Sequence, residues 1–136
     1  MQLKLQRRSL FLIALTVLLL SASVSRSQDD TTPKKRLRSP ATARGVIGGE
    51  SHDSYVIRAR KGQTMTVRIS WRREGDNSAG FSIAKGPNFF TDEQVDFGKE
   101  SDGGKRWTGK IPTTGSYYIY VTGHPIAHYT LRVQVK

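Results

Sequence analysis

Three histidines, eleven carboxylates and no cysteine bound the chemistry open to this 136-residue chain. Without cysteine there is no disulfide framework, no thiolate-held zinc or iron–sulfur centre, no thiol nucleophile and no lipid-modified cysteine anchor. His124 and His128 stand four residues apart, but Pro125 lies between them and no Glu adjoins either. A helical zinc motif needs both rings on one helix face and a glutamate beside the first. His52 stands alone and reads as a loop residue. Asp92, Glu93, Asp96, Glu100 and Asp102 gather in one polar stretch, with Lys99 among them. Their spacing is too loose for a calcium loop, which places its ligands at alternate positions around a glycine turn. Nucleophile elbows, phosphate-binding loops and dinucleotide fingerprints are absent. No two carboxylates stand out as a glycosidase pair. The expectation is a non-enzyme with no cofactor and no metal, which works by binding.

Two groups of residues could carry binding. The first is cationic. Arg58, Arg60, Arg68 and Arg132 all fall on polar positions of apolar–polar runs, as do Tyr118 and Tyr120. If their strands are neighbours, they form a basic, aromatic face suited to an anionic cell-wall polymer or an acidic protein. Arg and Thr also simply fill the wet face of an antiparallel sheet, so both readings stand. The second group is Thr113, Thr114, Gly115, Ser116 and Tyr117, a turn and the start of a strand. Its structural reading is a Pro-x-x-Gly turn in which Gly115 supplies a positive φ and Tyr117 enters the core, as in a tyrosine corner.

The N-terminus bears on which partners the chain meets. Lys4, Arg7 and Arg8 precede an apolar run from Leu10 to Leu20, followed by the small residues of Ser21–Ser25. This is the pattern of a cleaved bacterial secretory signal. The run is shorter than the roughly 20 apolar residues that span a bilayer. The expected organisation is a signal peptide over 1–27, a flexible leader over 28–34 and one domain over 35–136. Of the 22 basic residues, 18 lie after Ser27, as do all 11 acidic ones, so the exported part keeps a balance of +7. An exported basic protein has anionic envelope polymers and envelope proteins as partners rather than nucleic acid. The expected location is the periplasm or the exterior, with no stable membrane anchor after cleavage and a monomeric state.

The elements that position these residues are strands. Apolar side chains recur at every second position and no stretch shows sustained helical spacing. Tyr55, Ile57 and Ala59 share one face; so do Met65, Val67, Ile69 and Trp71, then Phe81 and Ile83. Tyr117, Ile119 and Val121 follow, then Tyr129, Leu131, Val133 and Val135. Strands are expected over 35–38, 44–48, 54–60, 63–71, 80–85, 106–111, 116–122 and 127–135, with a long loop holding a weak strand over 88–104. Lys61-Gly62 reads as the turn of a hairpin. About eight strands, each with one apolar face, require a second layer to cover it. The fold class is all-β, a two-sheet antiparallel β-sandwich of jelly-roll or immunoglobulin-like type.

Three segments together resemble a known family. Asp53–Ser70 reads DSYVIRARKGQTMTVRIS, Trp107–Val121 reads WTGKIPTTGSYYIYV and Ala127–Val133 reads AHYTLRV. In this order and spacing they resemble the bacterial pre-peptidase C-terminal-like β-sandwich. As a stand-alone exported protein the chain is similar to the periplasmic inhibitors of g-type lysozyme. That resemblance implies a non-enzymatic inhibitor that pushes a loop into the lysozyme cleft. The Ser-Gly-x-Tyr motif of related inhibitors falls on Thr114, Gly115, Ser116 and Tyr117, with Thr114 keeping the hydroxyl. A cell-envelope module that binds anionic polysaccharide or peptidoglycan through the basic face is the alternative.

Overall fold

The computed structural model describes residues 28–136, so the expected signal segment lies outside the described residues. Nine strands form two sheets. They are β1 (Lys34–Arg36), β2 (Ala41–Gly48), β3 (Asp53–Ala59), β4 (Thr64–Trp71), β5 (Ser78–Ala84), β6 (Lys99–Ser101), β7 (Arg106–Lys110), β8 (Gly115–His124) and β9 (Ile126–Val135). One sheet runs β1-β3-β8-β5 and the other β2-β9-β4-β7-β6. All pairs are antiparallel except β1 with β3. The described residues contain no helix. The weak strand expected in the long polar stretch is the three-residue β6.

The period of two places the core as expected. In the first sheet Tyr55 pairs with Ile119, Ile57 with Tyr117 and Ile83 with Ile119. In the second, Val67 pairs with both Val133 and Trp107, and Ile69 with Leu131. These side chains meet in one buried cluster between the layers. Burying each stabilises the fold by roughly 1.5–3 kcal/mol, and no disulfide assists them.

A polar contact ties the two layers together within this core. Tyr55 of β3 and Tyr129 of β9 share a hydrogen bond of 2.6 Å between their hydroxyls. The Tyr129 hydroxyl also donates to the Asp53 carboxylate, and Lys35 stands 3.6 Å from the same group. Burial, then the hydrogen bonds to Asp53 and Tyr55, push the Tyr129 phenol far above its ordinary range. Gly45 leaves the room for it: a Cβ there would meet the Tyr129 ring and hydroxyl at 2.8 Å and Asp53 at 2.9 Å.

The sequence predicts a hairpin across Lys61-Gly62, but β3 and β4 are not paired. The turn instead carries the chain from one sheet to the other. Both strands have an apolar face, and placing them in opposite layers turns both faces to the core.

The segment expected to be a leader holds one buried anchor. The Asp30 carboxylate accepts the N–H groups of Thr32 (3.0 Å) and Phe89 (3.2 Å). It also lies 3.2 Å from Lys34 Nζ and 3.1 Å from His52 Nε2. Burial alone would raise its pKa. The Thr32 and Phe89 N–H groups and the Lys34 ammonium outweigh that and hold it well below the usual carboxylate range.

Candidate functional site

The Thr113–Tyr117 loop sits at one end of the sandwich, beside the Lys61-Gly62 turn. Pro112, Thr113 and Thr114 are exposed, and β8 begins at Gly115. Two bonds hold the loop from behind. The Tyr117 hydroxyl donates to the Thr113 carbonyl at 2.5 Å, while its ring lies buried in the core. The Lys61 N–H donates to Thr114 Oγ1 at 2.9 Å, which leaves the threonine's own hydroxyl hydrogen free to donate outward. The back-bond from Tyr117 is the tyrosine-corner arrangement the sequence suggests.

Gly115 departs from its structural reading. It is not among the residues with positive φ, and a Cβ built on it would meet no atom within 4 Å. The turn therefore does not require glycine here, because Pro112 and the two hydrogen bonds already set the loop's course. Ser116 lies on the outer face opposite Arg58, in a hollow of about 300 Å³ also lined by Arg36 and Arg38. On the other side, Thr113 to Tyr117 border a cleft walled by Phe97 and the ion pair of Lys85 with Asp96 (3.3 Å). The loop is thus a hydroxyl-rich ridge with cations at its foot.

The predicted basic face does not assemble as one surface. Arg58 in β3 and Arg60 just after it belong to the four-stranded sheet, whereas Arg68 in β4 and Arg132 in β9 belong to the five-stranded sheet. Outward positions on the two layers point in opposite directions, so the four arginines divide into two pairs. Arg68 and Arg132 are direct cross-strand partners.

Tyr118 is half-buried on the outer face of the four-stranded sheet. Tyr120 points the same way but is not exposed to a ligand, at 1 % exposure. The loop through Phe89 folds back over it, and His52 stacks on the Phe89 ring at 4.2 Å. The Tyr120 hydroxyl donates to the Gly86 carbonyl at 2.8 Å, and burial, followed by the nearby Asp30 charge, pushes its phenol well above the ordinary range. The sequence reads His52 as a solvated loop residue and sets Phe89 and Phe90 within the long 88–104 loop. Two adjacent phenylalanines in an otherwise polar segment were the signal that this loop covers something.

His124 ends β8 in one sheet, while His128 lies in β9 of the other. Among the described residues no three His, Asp or Glu side chains gather closely enough to hold a metal ion.

No family model matches the chain, and no curated protein matches it. Solved structures do. PliG from Aeromonas hydrophila, a periplasmic lysozyme inhibitor of g-type lysozyme, is similar with a TM-score of 0.61 and 24% identity, over 76% of this chain and 96% of that one. The pre-peptidase C-terminal domain of collagenase from Bacillus anthracis has a TM-score of 0.56 and 17% identity, over 78% and 99%. PliG from Salmonella Typhimurium has a TM-score of 0.50 and 23% identity, over 76% and 98%. The likeness is one of fold. It extends over almost the full length of each neighbour, and two of the three are inhibitors.

Proposed function

We propose that the protein is an exported, non-enzymatic inhibitor of a g-type lysozyme, acting through the Thr113–Tyr117 loop. The observation that carries this reading is Gly115. It stands at the root of an exposed, braced ridge, and neither backbone angle nor crowding requires a glycine there. A bare backbone at such a point suits close approach by another surface. The fold shared with two PliG inhibitors supports the same reading.

The chemistry is complementary to a glycosidase cleft. Such enzymes cleave with a pair of carboxyl groups flanking the scissile bond. Thr113, Thr114 and Ser116 offer hydroxyl donors, and Arg58 and Lys61 bring positive charge to the ridge's base. Charge-assisted hydrogen bonds to a carboxylate are roughly twice as strong as neutral ones. A braced ridge also loses little conformational entropy on insertion.

The test is lysis of bacterial cell walls by a goose-type lysozyme, with the purified protein added at micromolar concentration. Lysis slows with the parent chain. With Gly115→Asp it returns to the uninhibited rate, while the variant keeps the parent's thermal midpoint. Undiminished lysis with the parent protein ends the proposal.

A further inference from the structure

The outer face of the five-stranded sheet carries an arrangement that the lysozyme reading does not use. Arg68 of β4 stands directly opposite Arg132 of β9 on one side and Arg106 of β7 on the other. Three guanidinium side chains therefore lie side by side across three adjacent strands, spaced by roughly the 4.8 Å between strands. The row ends in hydroxyls: Thr42 is opposite Arg132, and Ser101 is opposite Arg106. Like charges at directly opposed positions destabilise a sheet. Among the described residues none of the three arginines makes an ion pair. Arg68 and Arg132 are exposed, and Arg106 is half-buried.

The surface beside the row is shaped. A hollow of about 540 Å³ lies on one side, reaching Ser70, Thr130 and Lys105; its one carboxylate is Asp102 at the rim. A second, of about 340 Å³, lies on the other side and reaches Thr42, Thr66 and Gln134. The two hollows with the row between them make a furrow lined by hydroxyl, amide and guanidinium groups.

We propose that this furrow binds an acidic polysaccharide bearing sulfate or phosphate esters. The planar forks of Arg106, Arg68 and Arg132 take successive oxyanion groups, which tetrahedral oxyanions accept in bidentate fashion. The flanking Ser, Thr and Gln side chains suit sugar hydroxyls. Single-stranded nucleic acid fits poorly, because its binders stack bases on exposed aromatic rings. The outward positions of β4, β7 and β9 carry no Phe, Tyr or Trp. The proposal does not rest on the lysozyme reading, since the row and the Thr113–Tyr117 loop lie on different sheets.

The test uses the exported chain and measures fluorescence anisotropy of labelled dextran sulfate, polyphosphate, neutral dextran and oligodeoxythymidine, at roughly 0.15 M salt. The parent binds at least one of the two oxyanion polymers, and the one it prefers tells whether the oxyanion recognised is sulfate or phosphate. The triple variant Arg68→Gln, Arg106→Gln, Arg132→Gln binds on the order of a hundredfold more weakly. A second triple, Arg36→Gln, Arg38→Gln, Arg73→Gln, removes equal charge elsewhere and weakens binding less than about threefold. The first triple still slows lysozyme, and its thermal midpoint is equal to or above the parent's. Should it fail to fold, Arg68→Gln alone weakens binding roughly tenfold. Equal losses in the two triples would mean adsorption by net charge and would overturn the proposal. So would absent binding to both oxyanion polymers, equal binding to neutral dextran, or tighter binding to oligodeoxythymidine.

Discussion

Asp30→Ala tests how the N-terminal segment is held. The carboxylate is buried, with 1 % of its side chain exposed, and has four donors within 3.2 Å. Hydrogen bonds to a charged group contribute roughly 1.5–3 kcal/mol each to stability, and they are not additive. Breaking a buried charged pair costs about 3–5 kcal/mol. Alanine also leaves the Phe89 N–H and the His52 ring without an acceptor, while the Lys34 ammonium swings out to water. A loss of about 2–4 kcal/mol follows, a large part of the 5–15 kcal/mol typical of a domain. In a domain of this size that lowers the thermal midpoint by roughly 10–25 °C. Scanning calorimetry of parent, Asp30→Ala and Asp30→Asn at a series of pH values measures it. Asp30 is held below its reference value of 3.8, so its contribution is fully present above that pH. It fades as pH falls towards the folded-state value. The gap between parent and Asp30→Asn is therefore widest near neutrality and narrows below about pH 4. A midpoint within about 2 °C of the parent's for Asp30→Ala at neutral pH refutes the anchor and agrees with the flexible leader expected from sequence.

Tyr117→Phe keeps the core but removes the bond to the Thr113 carbonyl; it costs about 1 kcal/mol and weakens lysozyme inhibition more than it lowers the thermal midpoint, as parallel lysis and calorimetry measure. Gly45→Ala forces a methyl group against Tyr129 and Asp53 and destabilises by roughly 1–3 kcal/mol in chemical denaturation. Tyr129, whose phenol is raised in the folded state, contributes stability that is complete below its reference value of 10.0 and is lost as pH rises through the folded value. Stability of the parent accordingly falls more steeply above the reference value of 10.0 than stability of Tyr129→Phe, and equal slopes in alkaline denaturant titrations contradict the assignment.

Much of the fold was legible because one signal, period-two alternation, is local and strong. Met65, Val67 and Ile69 need only their neighbours in sequence to declare an inward face. What alternation does not carry is which strand lies beside which. Arg58 and Arg68 looked adjacent because a tight turn joins their strands, yet that turn changes layers. Arg106 was within reach of the same logic, since an inward Trp107 makes Arg106 outward. Its place beside Arg68 depended on the order β9-β4-β7, which is set by long-range pairing. Tyr120 shows a second limit: its direction followed from alternation, but its burial came from Phe89, more than thirty residues away. Gly115 shows a third, because the reason for a glycine lies in the backbone angle and surroundings, and neither can be read from the turn pattern alone.

The margins of the two sheets bear on how the protein behaves when crowded. Two of the four outermost strands, β1 and β6, are three residues long and read KKR and KES. Short, charged borders of this kind discourage strands of other molecules from joining on. The border at β5 is covered at its C-terminal end, where the Val95 N–H bonds the Ile83 carbonyl and the Lys85 N–H bonds the Glu93 carbonyl. The longest of the four borders is β2, at eight residues. Amyloid-like or domain-swapped growth would begin most readily on this long border, and a proline introduced at an outward-bonding position of β2 would oppose it.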